Sequence, residues 1–283
     1  MTRRTIASEI TASGTALHAG VNVNMTLSPA PAGHGVVFRR SDQGNAEVRA
    51  RYDKVVETRL GTVIADGLAS VAVVEHLMAA VAGAEIDDLL VTVDGPEPPI
   101  LDGDARSYAA LLDRAGASET PGPRRAIKVL KPVTARQRDA SCSLHPADIL
   151  SFEFEIDFSS KAIGRQSYAF PFSRHGFATE IAPARTFGFL HELEALQRMN
   201  LGRGASLTNT IAIDGDRIMN REIMRFPDEF VRHKILDAIG DMGLAGAPLV
   251  ARFEGVKSGH SLNNALLRAL FDDSESYEFV MLS

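Results

Sequence analysis

His233, Asp237 and Asp241 recur at intervals of four residues in the segment 226–241, Phe-Pro-Asp-Glu-Phe-Val-Arg-His-Lys-Ile-Leu-Asp-Ala-Ile-Gly-Asp. The proline and aspartate near its start suit the first turn of a helix. On a helix, the three polar side chains lie along one face. An imidazole and a carboxylate one turn apart can supply two ligands of a zinc site. The other interpretation, an exposed polar face with a helix-stabilising His–Asp pair, is favoured by this helix taken alone.

The sequence predicts a second helix that begins at Ser70 and ends near Gly83. Its residues are mostly apolar, but Glu75 and His76 lie in its middle. Burying either group without a partner is costly. Either one group faces solvent while the other is hydrogen-bonded in the core, or the histidine binds a metal and the adjacent carboxylate acts as a base.

Together, His76, His233 and Asp237 would make a metal site with three protein ligands and an open fourth position. This pattern is typical of catalytic zinc, whereas structural zinc has four protein ligands. The metal would lower the pKa of its water to about 7, and Glu75 could accept the proton. The order Glu-His differs from the His-Glu-x-x-His of many zinc peptidases, so a peptidase is not the first choice.

Three further side chains are candidates for catalysis. His260, in a Gly-His turn, could be a general acid held by Asp241, although a solvated histidine in a surface turn fits equally well. Thr186 and Lys234 could stabilise an oxyanion opposite the metal. Taken alone, each of these two residues is better explained as an ordinary loop hydroxyl or a solvated lysine.

The composition is that of an ordinary globular protein, with 283 residues of which 45% are hydrophobic. A formal net charge of −6 argues against a nucleic-acid-binding face. The single cysteine, Cys142, excludes an internal disulfide and favours a reducing compartment. No segment approaches the roughly 20 apolar residues of a membrane span, and the N-terminus does not resemble a secretory signal. We therefore expect a cytoplasmic protein without stable membrane insertion.

The chain is predicted to consist of two similar halves. Residues 116–125 are rich in glycine and proline and predict a linker, which gives domains 1–120 and 121–283. In both halves, strands precede a histidine-bearing helix, and a strand ending in an acidic residue and glycine follows it. This repetition indicates an internal duplication. If the halves pack about a pseudo-two-fold axis, the two helices can face each other.

Five segments resemble the signature blocks of one family, the zinc-dependent UDP-3-O-acyl-N-acetylglucosamine deacetylases of lipid A biosynthesis. They are Val-Glu-His-Leu-Met-Ala-Ala (74–80), Val-Asp-Gly-Pro-Glu-Pro-Pro-Ile-Leu-Asp-Gly (93–103), Ala-Arg-Thr-Phe-Gly-Phe (184–189), Val-Arg-His-Lys-Ile-Leu-Asp-Ala-Ile-Gly-Asp (231–241) and Ser-Gly-His-Ser-Leu-Asn-Asn (258–264). The blocks occur in the family's order and span nearly the whole chain.

The resemblance implies that His76, His233 and Asp237 bind zinc, although Fe²⁺ could occupy the same ligands in the cell. It further implies that Glu75 is the general base.

The resemblance also assigns the remaining catalytic candidates. His260 is implied to be the general acid or electrostatic partner, supported by Asp241, and Lys234 and Thr186 are implied to assist at the developing oxyanion.

The implied fold is α+β, with two similar two-layer α/β-sandwich domains, helices packed between the sheets and a small insert in each domain. The second insert, at about 189–213, is implied to form a hydrophobic passage for the acyl chain. Its candidate lining residues, together with Leu60 of the first insert, are Phe187, Leu193, Ser206, Leu207 and Ala212.

Two residues are candidates for contact with the nucleotide of the substrate. Phe158 is a candidate to stack on uracil and Lys257 to contact a phosphate, although a core position in a strand fits Phe158 as well.

Several family members carry a cysteine near the metal in the first insert, whereas Arg59-Leu-Gly61 has none.

The resemblance implies deacetylation of a UDP-linked, 3-O-acylated N-acetylglucosamine, giving the free amine and acetate. We expect the protein to be a cytoplasmic monomer. One alternative is a related zinc hydrolase with a different acylated substrate. Another is a non-catalytic protein that binds UDP-sugars or lipids on the same fold.

Overall fold

The computed structural model describes residues 1–282, apart from the side chain of Glu194. The strands of the first half are β1 (Thr2–Ile6), β2 (Ile10–Thr15), β3 (Asn22–Pro29), β4 (Val36–Arg40), β5 (Ala46–Arg49), β6 (Val55–Glu57), β7 (Val63–Asp66), β8 (Ala69–Val71), β9 (Leu89–Val93) and β10 (Ala117–Pro123). Those of the second half are β11 (Arg125–Val129), β12 (Val133–Gln137), β13 (Ala140–His145), β14 (Ser151–Asp157), β15 (Arg165–Pro171), β16 (Phe187–Phe189), β17 (Ile211–Asp214), β18 (Arg217–Ile218), β19 (Leu249–Val250), β20 (Arg252–Val256) and β21 (Tyr277–Met281).

The helices are α1 (Glu75–Gly83), α2 (Arg106–Ala115), α3 (Arg174–Gly176), α4 (Leu190–Arg198), α5 (Glu229–Gly243) and α6 (His260–Asp272). A π-helical segment, Phe177–Ile181, continues from α3. Within residues 1–282, none of the helices has the length and apolar character needed to cross a membrane.

Two five-stranded sheets share one topology. The strand orders are β2-β3-β9-β4-β5 in the first sheet and β12-β13-β20-β14-β15 in the second. In both, the central strand is antiparallel to the strand on one side and parallel to the strand on the other. Agreement in both order and direction confirms the predicted internal duplication.

Helices fill the space between the two sheets. On β14, Phe152, Phe154 and Ile156 are buried while Glu153 is exposed, as expected for a strand with one covered face. Helix α5 packs on β14 and β15, and α6 packs on β12 and β13. Helix α2 packs on β2, and α1 lies against both α2 and α5. The order of layers is thus sheet, helices, helices and sheet, which confirms the α+β class.

The contact between α1 and α5 joins the two halves at short range. A Cβ atom placed on Gly240 would lie 2.0 Å from the backbone oxygen of Glu75. Only glycine permits this approach, because real side chains do not fit so close to a carbonyl. Gly240 therefore sets the distance between the two histidine-bearing helices.

Each half carries a small insert. In the first half, β6, β7 and β8 form a three-stranded sheet whose first loop contains Leu60. In the second half, β16, β17 and β18 form another three-stranded sheet, and α4 connects its first two strands. The second insert thus includes the predicted range 189–213.

Two sequence-based predictions of secondary structure are wrong. Ser70 lies in β8 and does not begin a helix; α1 begins at Glu75, after Val73 turns the chain with a φ of 55°. The predicted linker contains β10, which pairs with β1 although its residues are mostly exposed. Backbone pairing needs no apolar pattern, so composition did not indicate this strand. The division into 1–120 and 121–283, which falls inside β10, stays our proposal.

We expect Gly240→Ala to lower the free energy of unfolding by about 2–3 kcal/mol, since the new methyl group forces α1 and α5 apart. Chemical denaturation measures this change. Gly243→Ala on the same helix is the matched control, because its Cβ would meet Met78 Cε at an ordinary 3.5 Å. Equal stability of the two variants would contradict the proposed role of Gly240.

Candidate functional site

His76, His233 and Asp237 converge where α1 crosses α5. Their ligand atoms all lie within 4.8 Å of one another, and all three residues are buried. His233 Nε2 is 3.4 Å and His76 Nε2 is 3.7 Å from Asp237 Oδ1. The structure thus brings together the predicted ligand set, and the interpretation of an exposed polar face on α5 is wrong.

The donor set fits a metal ion. His233 Nδ1 lies 3.1 Å from the carbonyl oxygen of Ala184. A carbonyl only accepts, so Nδ1 carries the proton and Nε2 keeps its lone pair. Among the described residues, His76 Nδ1 is a buried nitrogen without a hydrogen-bond partner. Two atoms that bind zinc tetrahedrally at about 2.0–2.2 Å lie roughly 3.3–3.6 Å apart, close to the 3.4 and 3.7 Å that separate Asp237 Oδ1 from the Nε2 atoms of His233 and His76.

Glu75 lies next to this cluster, at the first position of α1. Its Oε2 accepts a hydrogen bond of 2.9 Å from the backbone N–H of Thr62. Burial raises the pKa of Glu75 to about 7, although the nearby His260 opposes the shift. The carboxyl group is thus poised to take up or release a proton near neutral pH.

His260 faces Glu75 across the site and is held by Asp241. His260 Nδ1 donates to Asp241 Oδ2 at 2.8 Å, and Asn263 donates to the same oxygen at 2.9 Å. Burial alone would lower the pKa of His260, but Asp241 and Glu75 outweigh it and raise this pKa to about 9. The Nε2 atom of His260 is 3.8 Å from Glu75 Oε1, so a charged imidazolium stands beside the candidate base.

Lys234 and the carboxylate of Asp237 form a buried ion pair. Lys234 Nζ donates to Asp237 Oδ2 at 2.6 Å. Burial would raise the pKa of Asp237, but Lys234 and the neighbouring histidines hold it below its usual range. Burial and the neighbouring His233 lower the pKa of His76 to about 3. At neutral pH, Asp237 is therefore ionised and His76 is neutral, which are the states that bind metals.

Thr186 reaches the same site from the loop before β16. Its backbone N–H donates to the carbonyl oxygen of Gly103 at 2.8 Å. A Cβ atom on Gly103 would lie 1.7 Å from the backbone oxygen of Asn209, so only glycine fits between the two segments. Thr186 is thereby fixed at the wall of the cavity that also contains Lys234.

A cavity of about 750 Å³ opens from the cluster of His76, His233 and Asp237. His76, His233 and Asp237 lie at its polar part. The residues predicted to line the acyl passage all contact this cavity: Leu60, Phe187, Leu193, Ser206, Leu207 and Ala212. Leu60 is 41% and Leu207 56% exposed, which places apolar side chains where the cavity meets solvent.

The two candidate nucleotide contacts differ in position. Phe158 lines the cavity, and its ring centroid is 5.7 Å from that of Phe187. Lys257 does not line this cavity; its Nζ lies 3.2 Å from Asp139 and 3.0 Å from Asp157. In this structure, the ammonium group of Lys257 is thus paired with two surface carboxylates, although the sequence predicted that it contacts a phosphate.

Sequence reasoning missed two residues at the site. The Nε2 atom of His18 lies 2.8 Å from the carbonyl oxygen of Leu60, and its Nδ1 accepts from the N–H of Gly202. It therefore links both inserts beside the cavity. Thr62 was not singled out, but its hydroxyl donates to Asp241 Oδ1 at 2.6 Å. Neither contact leaves a local sequence signal, because each partner is distant in the chain.

Comparison with known proteins finds one family along nearly the whole chain. The family model described as LpxC: UDP-3-O-acyl N-acetylglycosamine deacetylase matches residues 3–272. A UDP-3-O-acyl-N-acetylglucosamine deacetylase of Phenylobacterium zucineum is 47% identical over 273 residues, covering 95% of this chain and 93% of the relative. The protein of the same name from Acidithiobacillus ferrooxidans is 46% identical, covering 98% and 92%. That of Myxococcus xanthus is 44% identical, covering 98% and 89%.

We expect Thr62→Val to lower the free energy of unfolding by about 1–3 kcal/mol, because the buried Asp241 loses a hydrogen-bond donor. Thr134→Val is the control, since the hydroxyl of Thr134 makes an exposed bond to Ser143. Urea denaturation of both variants measures the difference. If Thr62→Val were as stable as the wild type, the hydroxyl would not support Asp241.

Proposed function

The chain belongs to the UDP-3-O-acyl N-acetylglycosamine deacetylase family, and on this premise we propose that it deacetylates UDP-3-O-acyl-N-acetylglucosamine in lipid A biosynthesis. The reaction hydrolyses the acetamide and gives acetate and the free amine. One observation carries the proposal: the ligand set His76, His233 and Asp237 stands beside Glu75 and His260 at the polar part of a largely apolar cavity.

The proposal includes a metal ion, zinc by preference, held by His76, His233 and Asp237. When bound, zinc would supply Lewis acidity, which polarises a carbonyl and lowers the pKa of a water to about 7. Two imidazoles and one carboxylate also suit Fe²⁺. The support is the spacing of the three donors and the orientation of His233 by Ala184.

Glu75 and His260 are proposed to move the protons. Glu75 lines the same cavity as the three proposed ligands, so its carboxylate can accept a proton from the attacking water. Asp241 fixes the Nδ1–H of His260, which leaves Nε2 directed at the side of the site that holds Glu75. From there, His260 can protonate the leaving amine.

Lys234 and Thr186 are proposed to stabilise the oxyanion that develops on the acetamide carbonyl. Both line the cavity, and Lys234 is held through Asp237. A cation and a hydroxyl that are already fixed stabilise developing charge without reorganisation.

The apolar part of the cavity is proposed to hold the acyl chain, with Leu60, Phe187, Leu193, Leu207 and Ala212 as its walls.

Uracil is proposed to stack on Phe158, and Ser206 is proposed to contact the substrate. Lys257 would contact a phosphate only after it leaves Asp139 and Asp157. The proposed compartment is the cytoplasm, for which the support is the single, buried cysteine Cys142.

Glu75→Gln is expected to slow acetate release from UDP-3-O-acyl-N-acetylglucosamine by about 10²–10⁴-fold, because a general base is lost. The metal content of the variant should equal that of the wild type, since Glu75 is not a proposed ligand. Glu119→Gln, at an exposed glutamate of β10, is the control and should keep the full rate.

Loss of metal from Glu75→Gln would reassign Glu75 as a ligand, and an unchanged rate would remove it from the mechanism. A metal-loaded wild type that releases no acetate would favour a different acylated substrate or a non-catalytic binding protein.

A further inference from the structure

Glu229, the first residue of α5, has a fully buried carboxylate that, within the described part of the chain, is hydrogen-bonded by backbone amides alone. Its Oε1 accepts from the N–H of Arg185 at 3.0 Å. Its Oε2 accepts from the N–H of Arg225 and, at 3.2 Å, from that of Phe226. The start of a helix favours negative charge, and hydrogen bonds to an ionised acceptor are strong. These contacts stabilise the buried charge of Glu229. One of them, the bond from Arg185, also joins α5 to a distant segment of the chain.

The N–H of Arg185 belongs to the peptide group whose carbonyl, that of Ala184, accepts the Nδ1–H of His233. A peptide group is planar and rigid, so holding its N–H also sets the direction of its C=O. Glu229 and His233 are four residues apart on α5 and therefore lie on the same face of the helix. Helix α5 thus holds one peptide group at both ends, through Glu229 and through His233.

We infer that Glu229 is a positioning residue for metal binding, acting through the Ala184–Arg185 peptide group on the imidazole of His233. Without the bond from Arg185, this peptide group can rotate and its carbonyl no longer fixes the ring of His233. Partners of metal-bound histidines typically change metal affinity or activity 10–100-fold when mutated. The inference rests on the metal-dependent function proposed above.

The alternative is that Glu229 only stabilises the start of α5. The carboxylate of Glu229 has enough acceptor oxygens for both roles, and the substitution Glu229→Gln distinguishes the two roles. The one side-chain oxygen of the glutamine can serve the two amides of Arg225 and Phe226, which leaves its NH₂ group facing the N–H of Arg185. Glu229→Gln therefore removes the bond to the Ala184–Arg185 peptide group and keeps acceptors at the start of the helix.

Zn²⁺ affinity of the full chain, measured by competition with a chelator, tests the inference without an activity assay. We expect Glu229→Gln to bind Zn²⁺ about tenfold more weakly than the wild type. We also expect the visible spectrum of its Co²⁺-loaded form to shift, because that spectrum reports ligand geometry. Asp102→Asn is the matched control: Asp102 binds the side chains of Arg185 and Arg225 but not the peptide group, so its Zn²⁺ affinity should stay within about twofold of the wild type.

A folded Glu229→Gln variant with unchanged affinity and Co²⁺ spectrum would overturn the inference, as would equal weakening in Asp102→Asn. If Glu229→Gln does not fold, Glu229→Asp keeps the charge but is too short to reach both sets of amides. Unchanged Zn²⁺ affinity in that variant would overturn the inference as well. A wild type that binds no Zn²⁺ would instead refute the proposed function, and this inference with it.

Discussion

The close approach of α1 and α5 is the contact on which the site depends. Gly240 lets the two helices come together at the backbone of Glu75, and this brings His76 of one half to His233 and Asp237 of the other. Neither half contains the complete ligand set. Packing of the two halves and assembly of the site are therefore one event, and a metal that binds only the packed form stabilises it.

Charge balance explains why the buried polar groups are tolerated. Desolvating a charge costs several kcal/mol unless it is paired. Of the three buried carboxylates that surround the candidate site, Asp237 is paired with Lys234 and Asp241 with His260, whereas Glu75 accepts from a backbone N–H. Three negative and two positive charges leave a net charge of −1 when Glu75 is ionised. With His76 and His233 neutral, this net negative charge favours the binding of a cation.

The sequence was sufficient for the parts of the site that follow local rules. Helical spacing predicted that His233 and Asp237 share a face, and the repeated order of elements predicted that His76 would meet them. The two contacts that sequence analysis did not predict have a common cause. Thr62 meets Asp241, and Glu229 meets the N–H of Arg185, through contacts between distant segments that no periodicity records. The strand β10 and the start of α1 were mispredicted because backbone pairing and the turn at Val73 overrode local propensity.

The central claim is that His233 binds a metal between the two halves. Its most direct test is the metal content of the purified chain and of His233→Ala, with His175→Ala, at an exposed histidine, as the control. We predict about one zinc or iron ion per wild-type chain, the same in His175→Ala and none in His233→Ala. Equal metal content in all three proteins, or no metal in any of them after reconstitution, would contradict the claim.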